Sequence, residues 1–249
     1  MLLALSTWCD VEAYLRRSKA IILPIGSMEQ HGPNGLIGTD AICPEVIAAH
    51  AAQDAPDILV GPTFNVGSAQ HHLGFPGTVT LRPSTMIAAI TDWTHSLRRH
   101  GFEKLYWFNG HGGNVATIAA AFAEIHAERS FDGPDSTLPQ LSLVQRNWWE
   151  LPTVMDVCRR LHPSNEGSHA TPSEVAVTYA AYPEQVRNIV LEPPVAPSGS
   201  FGDAEDYRAR FADGRIGSDP SQATVENGRE IIETAARALL TDFRSFADS

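Results

Sequence analysis

The sequence predicts an α/β fold: a mostly parallel sheet with helices on both faces. Short apolar runs alternate along the chain with amphipathic segments. The first run, Ala20–Gly26, is apolar throughout, as a strand covered on both faces must be. The runs are separated by helical stretches long enough for the crossovers that parallel neighbours require.

In chain order, Ala20–Gly26 reads as a buried strand and Ile42–Gln53 as a helix. Ile58-Leu59-Val60 begins the next strand, and Thr78–Leu81 is a short one. Ser84–His100 carries Met86, Ile87, Ile90, Trp93 and Leu97 at helical spacing, with Ser84 as N-cap and Gly101 as the stop. Lys104–Phe108 is a strand, Asn114–Arg129 an alanine-rich helix and Leu141–Trp148 another strand. Ser173–Ala181 and Ala223–Phe246 complete the helices. The Pro- and Gly-rich stretch Tyr182–Ser221 is too short for a second domain and reads as a surface excursion. A single domain over residues 1–249 is expected.

Composition narrows the function. At 43% hydrophobic and 19% charged, the 249-residue chain has enough apolar surface for a sizeable core. Eighteen Lys and Arg against 29 Asp and Glu give a net charge of −11, which disfavours a nucleic-acid partner. Cys9, Cys43 and Cys158 are widely spaced and never form a CxxC pair. That argues against a disulfide framework and a cysteine-built zinc site. Residues 1–10 lack the features of a signal peptide, and no apolar run approaches the ~20 residues that cross a bilayer. No membrane partner and a cytoplasmic location are expected.

Three strand ends lead into loops dense in Gly, His and acid: 26–40, 67–78 and 109–114. In open parallel sheets such loops converge in the crevice beyond the carboxyl ends of the strands. Glu29 and His31, two apart on extended backbone, face one cavity. Asp40 precedes a helix, where the alternative role is an N-cap. His111 stands among glycines that let a ligand approach the backbone; the alternative is an exposed imidazole in a tight turn. Thr171-Pro172-Ser173-Glu174 fits a capping box, and Glu174, five residues after His169, is equally placed to enter the crevice. Imidazole and carboxylate without thiolate suit Zn²⁺, Mn²⁺ or Fe²⁺. Trp148 and Trp149 at a strand end read first as core or interface. Neither a phosphate-binding GxxxxGK[ST] loop nor a GxSxG nucleophile elbow occurs.

Leu23–Pro33 followed by Gly38-Thr39-Asp40 resembles the opening signature of the creatininase (creatinine amidohydrolase) family. His72 before Phe75-Pro76-Gly77-Thr78 resembles the second signature, Asn109–Asn114 the third, and His169-Ala170 with Glu174 the fourth. Gly217–Pro220 leading through Gly228 into a helix is also similar to the family pattern. The resemblance implies a three-layer αβα fold, two divalent metal ions per chain (zinc first, then manganese or iron) and hydrolysis of amide or cyclic amide C–N bonds. It implies Glu29, His31, Asp40 and His111 as metal ligands, with Asp40 bridging. Creatininase proper has a further glutamate where this chain has Gly113, and Glu174 is the natural replacement. A second departure is Thr171-Pro172, where the family usually has Gly and then often an acid. The first departure leaves the metal chemistry intact and the substrate open between an amide of the creatinine type and one of the formamide type.

His169 resembles the family's catalytic histidine, with Glu174 as its companion. Ser68, His72, Gly110, Gly112 and Trp148 are the substrate-binding candidates. A small-molecule amide is the expected substrate, with a peptidase of short modified peptides as runner-up and a non-catalytic metal binder as a third reading. A homo-oligomer, a hexamer by the resemblance, is the expected assembly.

Overall fold

The computed structural model describes residues 1–53 and 55–249. Helix α1 (Trp8–Leu15) opens on a capping box between Thr7 and Asp10 and leads into strand β1 (Ala20–Ile25). Then follow α2 (Thr39–Gln53), α3 (Pro83–Arg99), β2 (Lys104–Asn109), α4 (Val115–Asp132) and β3 (Ser142–Asn147). Helices α5 (Pro152–Leu161), α6 (Pro172–Ala181), α7 (Ala204–Arg210) and α8 (Val225–Asp248) complete the order. The sheet is parallel, β1-β2-β3, with Ile25 beside Asn109 and Asn109 beside Asn147. All three strands therefore end at one edge.

Strand alternation divides the core in two. Ile21, Leu23, Ile25, Leu105 and Trp107 pack with Tyr14, Met86, Ile90, Ile118 and Ile125, from α1, α3 and α4. Ile22, Tyr106 and Phe108 pack with side chains of α2, α5, α6 and α8 on the other face. This is the αβα sandwich, and both faces of β1 are buried because helices cover both.

Several expectations need correction. Ile58–Val60 forms only isolated parallel bridges, from Val60 to Leu2 and to Ile22 of β1, and Thr78–Leu81 a single antiparallel bridge between Val79 and Met28. Short apolar runs match a strand pattern without finding a partner for a full ladder. Helix α2 starts at Thr39, so Asp40 lies in its first turn. Helix α3 starts at Pro83 after Arg82, with no side-chain cap, and Ser84 sits inside the first turn. Proline at the first helical position needs no partner for an N–H it lacks.

The 182–221 stretch is no plain surface excursion. It contains α7, and its Tyr207, Phe211 and Ile216 form a small core with Phe75. The buried Arg215 guanidinium donates to the carbonyls of Pro193, Pro194 and Ser218 and to Asp213, fastening the segment. Among the described residues, no helix is long and apolar enough to cross a membrane.

Candidate metal centre

Helix α2 is seated against the strand ends by glycine. A Cβ on Gly26 would lie 2.1 Å from the Asp40 carbonyl oxygen, and one on Gly110 2.0 Å from the same atom. Only residues without a side chain let the first turn of α2 approach both loops, and that approach sets Asp40 over the sheet edge. The loops are then bound to one another by asparagines. Asn109 Nδ2 donates to the His111 carbonyl (2.6 Å) and to Asn147 Oδ1 (2.8 Å), and its Oδ1 accepts from His111 N–H (3.1 Å). Asn114 Nδ2 donates to the Gly26 carbonyl, and its Oδ1 accepts from Ser68 N–H, both at 2.9 Å.

The candidate donors meet above this frame. His31 Nε2 lies 3.0 Å from Asp40 Oδ1, and His111 Nδ1 lies 2.9 Å from Asp40 Oδ2. Glu29 Oε2 is 3.2 Å from His111 Nε2, and Glu174 Oε1 is 3.9 Å from His31 Nε2. Asp40 thus stands between the two imidazoles. His31 Nδ1 faces the Glu29 backbone carbonyl at 3.1 Å, and His111 Nε2 faces the Ser68 carbonyl at 3.0 Å. A ring nitrogen that donates to a carbonyl fixes the tautomer and leaves the opposite nitrogen as a lone-pair donor. Those opposite nitrogens, His31 Nε2 and His111 Nδ1, are the ones turned toward Asp40.

Both Glu29 carboxylate oxygens and Asp40 Oδ2 are buried without a hydrogen-bond partner. A buried carboxylate without donors is costly unless a cation offsets it. Glu29, His31 and Asp40 offer donor atoms within 4.8 Å of one another, as do His31, His169 and Glu174. This oxygen and imidazole set fits a borderline divalent cation.

The electrostatics agree. Burial raises the Glu29 carboxyl, with Asp40 adding to the effect, and burial likewise raises Glu174. Burial works to raise Asp40 too, but the adjacent charges of His31 and His111 outweigh it and hold Asp40 well below the usual range. Burial alone would lower His31 and His111; the surrounding carboxylates outweigh it and raise them to about 10 and about 9. Protonated rings would balance the carboxylate charge that a bound cation would otherwise offset.

Glu174 occupies both places that the sequence leaves open. Its Oε1 accepts from Thr171 N–H at 2.6 Å, while Thr171 Oγ1 accepts from Glu174 N–H at 3.1 Å. The cap engages one oxygen of a carboxylate that has lone pairs to spare. His169 Nε2 faces the Gln30 carbonyl at 2.8 Å, which turns Nδ1 toward Glu29 Oε1, 3.7 Å away. Burial, then the charge on His31, lowers His169 well below the ordinary imidazole range.

The remaining candidates separate. His72 Nε2 reaches Glu29 Oε1 at 3.1 Å, as close as the predicted ligands come. Gly112 has nothing within 4 Å of where a Cβ would stand and lines the open cavity. Gly110 also borders the cavity, but its missing side chain serves the packing of Asp40 and Pro44. The Ser68 hydroxyl points away, donating to Met86 Sδ at 3.3 Å, and Ser68 acts on the site through its backbone. Trp148 is 2% exposed and belongs to the core while its edge borders the cavity. Sequence reasoning missed Gln30, whose Nε2 lies 2.9 Å from His72 Nδ1 and donates to the Gly214 carbonyl at 2.9 Å. It also missed His71, stacked on Phe201 beside the donors, although the adjacent His71-His72 pair was a visible signal.

A family model described as creatinine amidohydrolase matches residues 4–242. The creatinine amidohydrolase of Pseudomonas putida is 25% identical over 96% of this chain and 94% of its own length. The mycofactocin precursor peptide peptidase of Mycolicibacterium smegmatis is 33% identical, over 43% of this chain and 45% of that protein, so this match spans under half of either. A solved mutant creatininase of the Zn–Zn type superposes with a TM-score of 0.86 at 25% identity, covering 100% of this chain and 98% of the other.

Proposed function

The chain belongs to the creatininase family, and from that premise we propose that it is a metal-dependent amidohydrolase cleaving a C–N bond of a small amide or cyclic amide. In this reading Glu29, His31, Asp40, His111 and Glu174 would hold two divalent cations, zinc first. The observation that carries it is the set of buried Glu29 and Asp40 oxygens without hydrogen-bond partners, facing imidazoles whose tautomers are fixed from behind. When bound, the cations supply Lewis acidity, polarising a carbonyl and making water more acidic.

The chain's own side chains do the rest. His169, kept neutral by burial and holding its proton at Nε2 against the Gln30 carbonyl, has its Nδ1 lone pair free to take a proton from the attacking water and pass it to the departing nitrogen. Gly112, open at its Cα, lets the substrate carbonyl come close to the loop backbone. The Asn109–Asn114 lattice holds that loop rigid, so the donors need no rearrangement during reaction.

Amine release from creatinine, formamides and dipeptides tests the reading, with metal content measured on the same sample. Turnover on at least one class is expected, falling at least about a hundredfold on chelation and returning with added metal. A metal-loaded protein that releases amine from none of them would overturn it. The peptidase reading has its own support in a cavity of about 830 Å³, large for a lactam, and in the partial match to a peptidase.

We also propose a homo-oligomer, a hexamer. Phe131 at 90% exposure and Val190 at 85% are large apolar groups that a subunit contact would cover. Sedimentation at micromolar concentration is expected to give a multiple of 27.0 kDa, and a stable monomer would refute it.

A further inference from the structure

The cavity above the donor cluster, about 830 Å³, lies toward the upper end of the range that holds drug-sized ligands. A lactam ring occupies a small part of it, and the chemistry of the remaining walls is uneven. On one side His71 and Phe201 stack with ring centres 4.9 Å apart and planes 22° apart, and Tyr207 stands edge-on to Phe201. Elsewhere in the lining, Met155, Cys158 and Arg159 turn one face of α5 to the cavity, at the i, i+3, i+4 spacing.

Arg159 is the one guanidinium or ammonium among the described lining residues; the carboxyl groups there are Glu29, Asp40, Glu166 and Glu174. Its neighbour Arg160 is bonded to Glu230. The ionic neighbour of Arg159 is Asp156 at 3.9 Å, with both side chains more than two-thirds exposed. A pair so long and so hydrated contributes almost nothing and leaves the guanidinium fork available. The net charge of −11 repels anions at long range, so an anionic end lying away from the metal donors settles in this cavity only where another local cation receives it.

We propose that the cavity takes an amide whose far end carries a carboxylate, received by Arg159, with the His71–Phe201 face against the apolar portion between. This deepens the amidohydrolase reading and rests on it. A planar guanidinium takes a carboxylate through two parallel hydrogen bonds, which gives both affinity and orientation. The carboxylate belongs either to the last residue of a short peptide or to an acylated amino acid.

The test is calorimetric binding of matched pairs to the metal-loaded protein. N-acetylphenylalanine is compared with its amide, and glycylphenylalanine with its amide, on wild type, Arg159→Gln and Arg159→Lys. Wild type is expected to prefer the free acid by about tenfold or more, as a charged hydrogen bond implies. The preference should shrink to about twofold or less in Arg159→Gln and return in part in Arg159→Lys. Whichever pair shows the larger preference identifies the source of the carboxylate. A preference that survives in Arg159→Gln would mean the carboxylate is held elsewhere, by the metals included, and would overturn the proposal. Equal binding of acid and amide by wild type, or binding of neither, would overturn it too. Absence of turnover on every amide is a separate result: it sinks the hydrolase reading and is read independently of these affinities.

Discussion

Replacing His111 by alanine is expected to lower metal content from the proposed two ions per chain to one or none and to reduce amide turnover by on the order of a thousandfold. The magnitude follows from the several kcal/mol that a metal ion contributes to transition-state charge. His111 Nδ1 lies 2.9 Å from Asp40 Oδ2, on the side opposite His31, so one imidazole serves each side of the proposed bridging carboxylate. The loop should survive the change, because Asn109 holds the backbone of residue 111 through both its N–H and its carbonyl. Circular dichroism checks the fold, and elemental analysis counts the ions.

Proton release gives a second readout. In the metal-free protein the surrounding carboxylates raise His31 and His111 to about 10 and about 9. A metal can use their lone pairs only by displacing a proton from each. Affinity should therefore rise with pH up to about 10, and His111→Ala should release one proton fewer on binding. Two ions and undiminished turnover in that variant would remove His111 from the site.

Glu174 and Thr171 are expected to separate metal binding from capping. In Glu174→Gln, the amide oxygen can still accept from Thr171 N–H, so thermal stability should hardly move. The negative charge is lost beside His31, so one metal should bind more weakly and turnover should fall by orders of magnitude. Thr171→Ala reverses the pattern. It removes the hydroxyl that accepts from Glu174 N–H and should cost about 0.5–2 kcal/mol of stability with both metals retained. Metal titration and thermal melts on the two variants settle the matter, and normal metal content and turnover in Glu174→Gln would leave the side chain only its cap.

Part of this architecture was legible because it depends on neighbours in the chain. Buried parallel strands must be apolar throughout, so Ala20–Ile25 announced itself. The Thr171–Glu174 box is a four-residue device, readable wherever it occurs. Helix α5 is just as legible, since Val154, Val157 and Cys158 mark a buried face directly after β3 and the Trp148-Trp149 pair. By contrast, Ile58–Val60 and Thr78–Leu81 look like strands and are not, because a ladder needs a partner that local sequence does not supply.

What the sequence alone determined is the set of groups available: carboxylates and imidazoles at strand ends, with glycines beside them. Their mutual geometry belongs to the tertiary structure. Gln30 contacts His72, 42 residues on, and the carbonyl of Gly214, 184 residues on, and nothing in a glutamine between two candidate ligands signals that. Adjacent in one short turn, His71 and His72 divide into a ring stacked on Phe201 and a ring against Glu29, a choice made by packing. The 182–221 segment reads as a Pro- and Gly-rich surface excursion, yet Arg215 fastens it and Tyr207 carries it over the site. Backbone periodicity is enforced within a turn or a pleat, and so can be read locally. The burial that orients each donor is enforced only when distant loops close over the same sheet edge.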